Sequence, residues 1–180
     1  WERRRADLYG LADTWVGTTD AAEDDGVRHL VRRYLGAFGP ATLGDVASWS
    51  GVPATQLGPI VAAMRLRRWA STDGAVLLDL PGATIVDGDA PAPVRFLPTW
   101  DALLLVHARR SGVLPEGFRG LVFHTKNPQS IGTFTVDGVI AGSWSWTRDR
   151  VAITEFRALR ASERRAVDAE AVRLAAFHAD

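Results

Sequence analysis

The chain has 180 residues, with 21 Lys+Arg against 21 Asp+Glu, four His and no Cys. That length suits one large domain or two small ones, and 47% hydrophobic against 23% charged residues supplies enough apolar material for a core. Absent cysteine excludes disulfides, thiolate zinc sites, iron–sulfur clusters and cysteine nucleophiles, while no apolar run approaches the roughly 18–20 residues of a membrane span, so the expectation is a cytoplasmic protein with no membrane partner.

Residues 1–24 open on Arg3, Arg4 and Arg5 and turn acidic through Asp20, Glu23, Asp24 and Asp25. Leu8, Leu11 and Trp15 stand at helical spacing, so this stretch reads as a short helix or a docked linker. Val27, Leu30, Val31, Tyr34, Leu35 and Phe38 then follow the i, i+3, i+4, i+7 series of an amphipathic helix. Asp25 is placed to cap it; Gly39 and Pro40 are placed to end it, the glycine as a left-handed cap. A shorter helix follows from Thr42, with Leu43, Val46 and Ala47 inward, Asp45 three residues after the cap, and a stop at Gly51. Pro53 opens a third through Leu57, Ile60, Val61, Met64 and Leu66, where Pro59 marks a bend or a late start.

The period then turns extended. The stretch after Trp69, the pair Asp73 and Gly74, and the run from Val76 to Leu80 spell a hairpin. Three helices with a short middle one, followed by a hairpin, predict a winged helix-turn-helix over residues 25–80. Residues 81–93 are turn chemistry throughout and read as a linker. Beyond them, strands are expected at Val94 to Leu97, Leu121 to Phe123, Ile131 to Val136, Val139 to Trp146 and Val151 to Phe156, with an apolar run from Leu103 to Val106. Asp137 with Gly138, and Arg148 with Asp149, sit where tight turns belong, and Ser162 can cap a last helix carrying Val167, Ala171, Leu174 and Ala175. The predicted fold class is α+β: the winged helix, then over residues 94–180 a small antiparallel barrel-like domain closed by a C-terminal helix.

Residues 1–90 hold 9 basic and 12 acidic side chains and residues 91–180 hold 12 and 9, so neither half is a basic domain. Local patches must carry any nucleic-acid argument. No acidic residue lies between Asp45 and Asp73, while Arg65, Arg67 and Arg68 cluster where the third helix meets the hairpin. Guanidinium groups there suit phosphates. The base-reading side is poor, since residues 53–64 offer only Thr55 and Gln56 as side-chain hydrogen-bonding groups, which favours backbone or shape recognition over a sequence code. The other reading is that these arginines solvate a surface and the domain packs on protein.

Lys126 and Asn127 could touch phosphate or an unpaired base, or form a solvated turn. Trp144 and Trp146, two apart on one strand, are either sheet core or a stacking platform for bases. Asp101, His107, Arg109 and Arg110 form an acid–base group without a nucleophile motif; the structural reading has Asp101 capping a helix and His107 hydrogen-bonded in place. His29, His107, His124 and His178 have no ligand spacing, so no metal is expected. With no Walker loop, dinucleotide fingerprint or His-Glu-x-x-His motif, no cofactor is expected either.

Residues 30–42, the turn at Trp49, Ser50 and Gly51, and residues 96–101 followed by His107 and Arg110 resemble the bacterial winged helix DNA-binding domain-containing proteins that group with the AlkZ/YcaQ-type DNA glycosylases. Residues 136–144, from Val136 to Trp144, are similar to the hairpin of that family's C-terminal barrel, and residues 1–5 to the segment joining its first winged helix to the next. The resemblance covers essentially the whole chain. It implies tandem winged helices and a barrel clasping duplex DNA, with a Gln-x-Gln or Gln-x-Asp pair that positions water at the sugar carbon. Gln56 and Gln129 are the only glutamines here and neither belongs to such a pair, so no catalytic residue is assigned.

The chain opens on Trp1, so these residues read as part of a longer protein that packs against an upstream winged helix. Two functions stay open. One is the DNA-clasping part of a glycosylase-like repair protein, and the other a non-catalytic winged-helix regulator or protein-interaction module. Twenty of the 21 basic residues are Arg, which reads as the mark of a GC-rich genome more than of any ligand.

Overall fold

In the computed structural model, which describes residues 9–18, 20–108, 111–123, 130–147 and 150–179, the first helix, α1 (Ala12–Val16), buries none of its residues. Tyr9, Leu11, Trp15 and Val16 all stand exposed. Helix α2 (Glu23–Phe38) buries Val27, Val31, Tyr34 and Leu35 along the expected stripe. It starts before Asp25, with Ala22 as its N-cap and Glu23, Asp24 and Asp25 filling the first turn. Carboxylates there face unpaired N–H groups and the positive end of the helix dipole, so the whole acidic trio stabilises the start.

Gly39 ends α2 with an extended φ of −69° rather than as a left-handed cap. Its glycine character answers crowding: a Cβ would sit 2.6 Å from the Leu35 carbonyl oxygen and 2.8 Å from Asp79 Oδ1. Helix α3 (Leu43–Ser50) has the reciprocal cap its sequence promised. Asp45 N–H donates to Thr42 Oγ1 at 3.1 Å and Thr42 N–H to Asp45 Oδ2 at 2.9 Å, and Gly51, in the left-handed region at φ 72°, closes the other end. Helix α4 (Ala54–Ala62) runs through Pro59 without a break. Pro59 lies on the exposed side, where water can serve the carbonyl that loses its helical donor.

Strands β1 (Arg67–Ala70) and β2 (Val76–Asp79) pair antiparallel, Arg67 opposite Asp79 and Ala70 opposite Val76. Ala41, between α2 and α3, exchanges both backbone hydrogen bonds with Leu78 at 3.0 and 2.7 Å. That rung ties the start of α3 to the hairpin, and nothing in the local sequence pattern announces it. The first core gathers Val31, Tyr34, Leu35, Val46, Leu57, Val61 and Leu78 from all four elements, and also Val106 from far along the chain.

Strand β3 (Arg95–Leu97), helices α5 (Ala102–Leu105) and α6 (Glu116–Val122), strands β4 (Thr133–Val136), β5 (Val139–Thr147) and β6 (Arg150–Glu155), and helix α7 (Ala161–Ala179) complete the order. Leu121 and Val122, expected in a strand, are helical. Pro115 N-caps α6 and Glu116 sits in its first turn, while Phe118 and Val122, one turn apart, both pack inward. The strands pair antiparallel in the order β3-β4-β5-β6. The sheet is therefore open and not the expected barrel, because four strands, one of only three residues, cannot close around side chains.

Helices cover both faces instead. Phe134, Val136 and Ala141 pack with Val167 of α7, and Ile140 packs on the other face with Leu104 of α5 and Phe118 of α6. Ion pairs from Arg95 to Glu170 (3.6 Å) and from Arg164 to Glu155 tie α7 to β3 and β6. Helix α7 begins at Ala161, so Ser162 lies inside its first turn rather than capping it; Glu163 accepts the Arg160 N–H at 2.8 Å and both arginines Arg157 and Arg160. Those partners hold the Glu163 carboxyl well below the usual range, Arg157 foremost.

Asp137 (φ 52°) and Gly138 (φ 75°) make the tight β4–β5 turn as read from the sequence, whereas Arg148 and Asp149 lie outside the described residues. The β4–β5 ladder shifts register between Phe134 and Thr135, and Phe134 stands opposite Gly142. A Cβ at Gly142 would collide with the Phe134 ring and the Thr154 carbonyl oxygen. Gly142→Ala should therefore lower stability by about 1–3 kcal/mol, read as a lower urea midpoint at unchanged slope; an unchanged midpoint would show that the ring moves aside at no cost.

Candidate nucleic-acid interface

Thr55 and Gln56, the hydrogen-bonding side chains of α4, are both exposed. Gln56 is engaged: its Nε2 donates to Glu23 Oε1 at 2.7 Å, so the acidic first turn of α2 stands against the start of α4. Carboxylates at that end oppose phosphate, and the amide must leave Glu23 before it can meet a base.

The three arginines that cluster in sequence part company in space. Arg65 lines a cleft of about 520 Å³ together with Arg28 and Arg32 of α2. Arg67 and Arg68 are neighbours on β1, so their side chains leave opposite faces of the hairpin. Arg67 donates from Nη1 to the Ala83 carbonyl at 3.2 Å, and its guanidinium lies 5.4 Å from the Trp69 ring centroid. Arg68 lines a different cleft, of about 320 Å³, with Leu43, Val61 and Val76. Arg28 and Arg32, missed at the sequence level, carried a legible signal: they are one helical turn apart on α2. Lys126 and Asn127 lie outside the described residues, as do Arg109, Arg110 and His124.

The two tryptophans differ. Trp144 donates Nε1–H to the Leu97 carbonyl at 2.9 Å and meets Phe96 edge-on, a core role. Trp146 is partly exposed and stacked on His178, with centroids 4.5 Å apart. Both line a cleft of about 520 Å³ with Pro98, Ser143 and Thr154. Asp101 does cap α5, accepting the Leu103 N–H at 2.8 Å.

His107 is buried in a joint between distant parts of the chain. Tyr34 donates its phenol proton to the Val106 carbonyl at 2.7 Å and lies 3.2 Å from His107 Nδ1. With that proton given to Val106, the phenol oxygen faces Nδ1 as an acceptor. Asp45 Oδ1 accepts the Ala108 N–H at 2.9 Å and Oδ2 lies 3.8 Å from His107 Nδ1. Burial pushes the Asp45 carboxyl up, but the Thr42 hydroxyl and N–H, the Ala108 N–H and His107 together hold it below its ordinary value. The group is a scaffold. Among the described residues no cluster of His, Asp and Glu could hold a metal ion, and no helix is long and apolar enough to cross a membrane.

A family model described as DNA glycosylase AlkZ-like matches residues 1–177. Among solved structures, the fold is similar to that of Streptomyces sahachiroi DNA glycosylase AlkZ, with a TM-score of 0.74 and 22% sequence identity, over 88% of this chain and 44% of that one. The chain thus spans less than half the length of that neighbour, and the likeness at this identity is one of fold. No curated protein matches the chain.

Because the Asp45 pKa is depressed by folding, its contribution is complete above the ordinary carboxylate pKa of about 4 and is lost as pH falls below it. Asp45→Asn should cost about 1–3 kcal/mol near neutral pH, from the lost cap and the weakened Ala108 tie. It should also flatten the acid limb of the stability–pH curve, leaving the parts due to Glu163 and Asp73, whose carboxyls are likewise held below their ordinary values. An acid limb identical to that of the parent protein would remove Asp45 from this role.

Proposed function

Because the chain belongs to the DNA glycosylase AlkZ-like family, we propose that it engages double-stranded DNA by its backbone and shape, as the DNA-clasping part of a glycosylase-like repair protein. The observation that carries this reading is the family match along residues 1–177. The order of elements supports it: α2, the Ala41 rung, α3, α4 and the β1–β2 hairpin follow one another as in a winged helix, with residues 25–80 as that domain, 81–93 as a linker and 94–180 as a sheet domain. In this reading Arg65, Arg67 and Arg68 meet phosphates, Thr55 and Gln56 lie near the groove, and Lys126 and Asn127 add contacts from the second half.

Glu23, in the acidic first turn of α2, is an obstacle on that face. Its exposed hydrogen bond from Gln56 is of the kind worth about 0.5–1.5 kcal/mol, a small cost beside several phosphate contacts. The exposed apolar stretch Tyr9, Leu11, Trp15 and Val16 supports packing against a further winged helix. The reading gives no residue of this chain a catalytic role; the family's glutamine-containing pair would belong to a different segment.

Fluorescence anisotropy with a plain duplex and with one carrying an abasic-site analogue, at low and moderate salt, tests the proposal. Tighter binding to the abasic analogue is expected, with affinity falling about 40-fold for a fourfold rise in salt if three phosphates are held. Arg67→Glu with Arg68→Glu should weaken both duplexes at least tenfold. Equal, salt-sensitive binding to the two duplexes would favour a non-catalytic winged-helix regulator. No binding to either would leave a protein-interaction module and sink the DNA reading.

A further inference from the structure

The arginines of α2 have no place in the hairpin-centred interface, yet they build a site of their own. Arg28 and Arg32 stand on α2, and Arg65 reaches the same cleft from the segment between α4 and β1. Leu66, Leu80 and Pro81 supply an apolar floor, and among the described residues no carboxylate lines the space. Arg28 is anchored by Asp25 at 2.7 Å and Asp24 at 3.6 Å. Arg32 and Arg65 have no hydrogen bond or ion pair among the described residues.

Like charges one turn apart on a helix repel, and Arg65 adds a third guanidinium to Arg28 and Arg32; with Arg32 and Arg65 exposed, that repulsion is screened and small. A compact anion between the three converts it into attraction, and the fork of a guanidinium matches phosphate oxygens two at a time. The cationic surface also continues. Arg32 and Leu80 are shared with an adjoining cleft of about 350 Å³ that Arg33 lines.

We infer that the cleft between α2 and the α4–β1 segment binds a phosphate group, with Arg32 and Arg65 donating to its oxygens and Arg28 as a positive wall set in place by Asp24 and Asp25. The same chemistry serves a phosphodiester of a DNA strand or the phosphate of a small molecule. The cleft shares Arg65 with the interface proposed above, while Arg67 and Arg68 take no part in it.

The test titrates the full chain with inorganic pyrophosphate by calorimetry and with a plain duplex by anisotropy. Three proteins are compared: the parent, Arg32→Gln with Arg65→Gln, and the exposed α7 control Arg165→Gln. The glutamine pair keeps helix propensity on α2, and circular dichroism checks the fold. Loss of affinity for the duplex by tenfold or more in the pair, with the control within twofold, assigns the cleft to a DNA backbone. Loss for pyrophosphate alone, with the duplex unchanged, assigns it to a phosphorylated small molecule. Affinities for both probes within twofold of the parent would overturn the inference, as would an equal loss in the control. A parent that does not bind the duplex removes the DNA reading while the pyrophosphate arm still reports on the cleft.

Discussion

Two hydrogen bonds across the chain, from the Tyr34 phenol to the Val106 carbonyl and from the Ala108 N–H to Asp45, decide how the later half of the sequence meets the earlier one. The Tyr34 bond closes a loop of 72 residues, an entropic cost that one hydrogen bond cannot offset. Val106 supplies the rest by entering the core formed by α2, α3 and α4. Asp45 serves two masters here: one oxygen fixes residue 108, and the other caps α3. The helix that sets the position of α4 and the contact that joins the two halves therefore rest on a single carboxylate. Tyr34 is one of the largest fully buried side chains, and its own bond to Val106 is buried and strengthened by that.

Electrostatics give the surface an orientation that overall neutrality conceals. The first turn of α2 is acidic and reaches the start of α4 through Gln56. One to two turns further along the same helix, Arg28, Arg32 and Arg33 make its side basic, and Arg65 joins them. A polyanion approaching this region meets repulsion at one end of α2 and attraction along its middle, so the helix itself sets a direction of approach. Recognition by an exposed reading helix alone fits this poorly, because the hydrogen-bonding residues of α4 lie at the acidic end.

Much of the fold could be read from the chain because its punctuation is local. The stripe from Val27 to Phe38, the Thr42–Asp45 box, the left-handed Gly51 and the Asp137 and Gly138 turn each depend on residues a few positions apart. The misreadings arose where distant atoms decide. Gly39 looked like a left-handed cap but answers to Asp79, forty residues on. The run at Leu121 looked like a strand, yet Pro115 and Glu116 start a helix whose apolar side finds the sheet. The strand pattern leaves a sheet or a barrel open and the family resemblance favours the barrel, but the covering of both faces by helices, which makes closure unnecessary, has no signature in any one segment. For the candidate interface, residue types were legible and their grouping was not: adjacency along β1 sends Arg67 and Arg68 apart, while Arg65 finds its companions on a helix more than thirty residues earlier.

The cations that line the clefts along α2 and beside the hairpin are all guanidiniums, as twenty of the 21 basic residues of the chain are arginine. A guanidinium keeps its proton at every pH a folded protein survives. It is also beyond the reach of acetylation, the common means by which a cell silences a lysine. The charge of these surfaces is therefore permanent. Mobile ions and competing polyanions adjust what they hold, and a covalent change such as methylation can blunt the two-pronged hydrogen bonding of a guanidinium but leaves its charge in place.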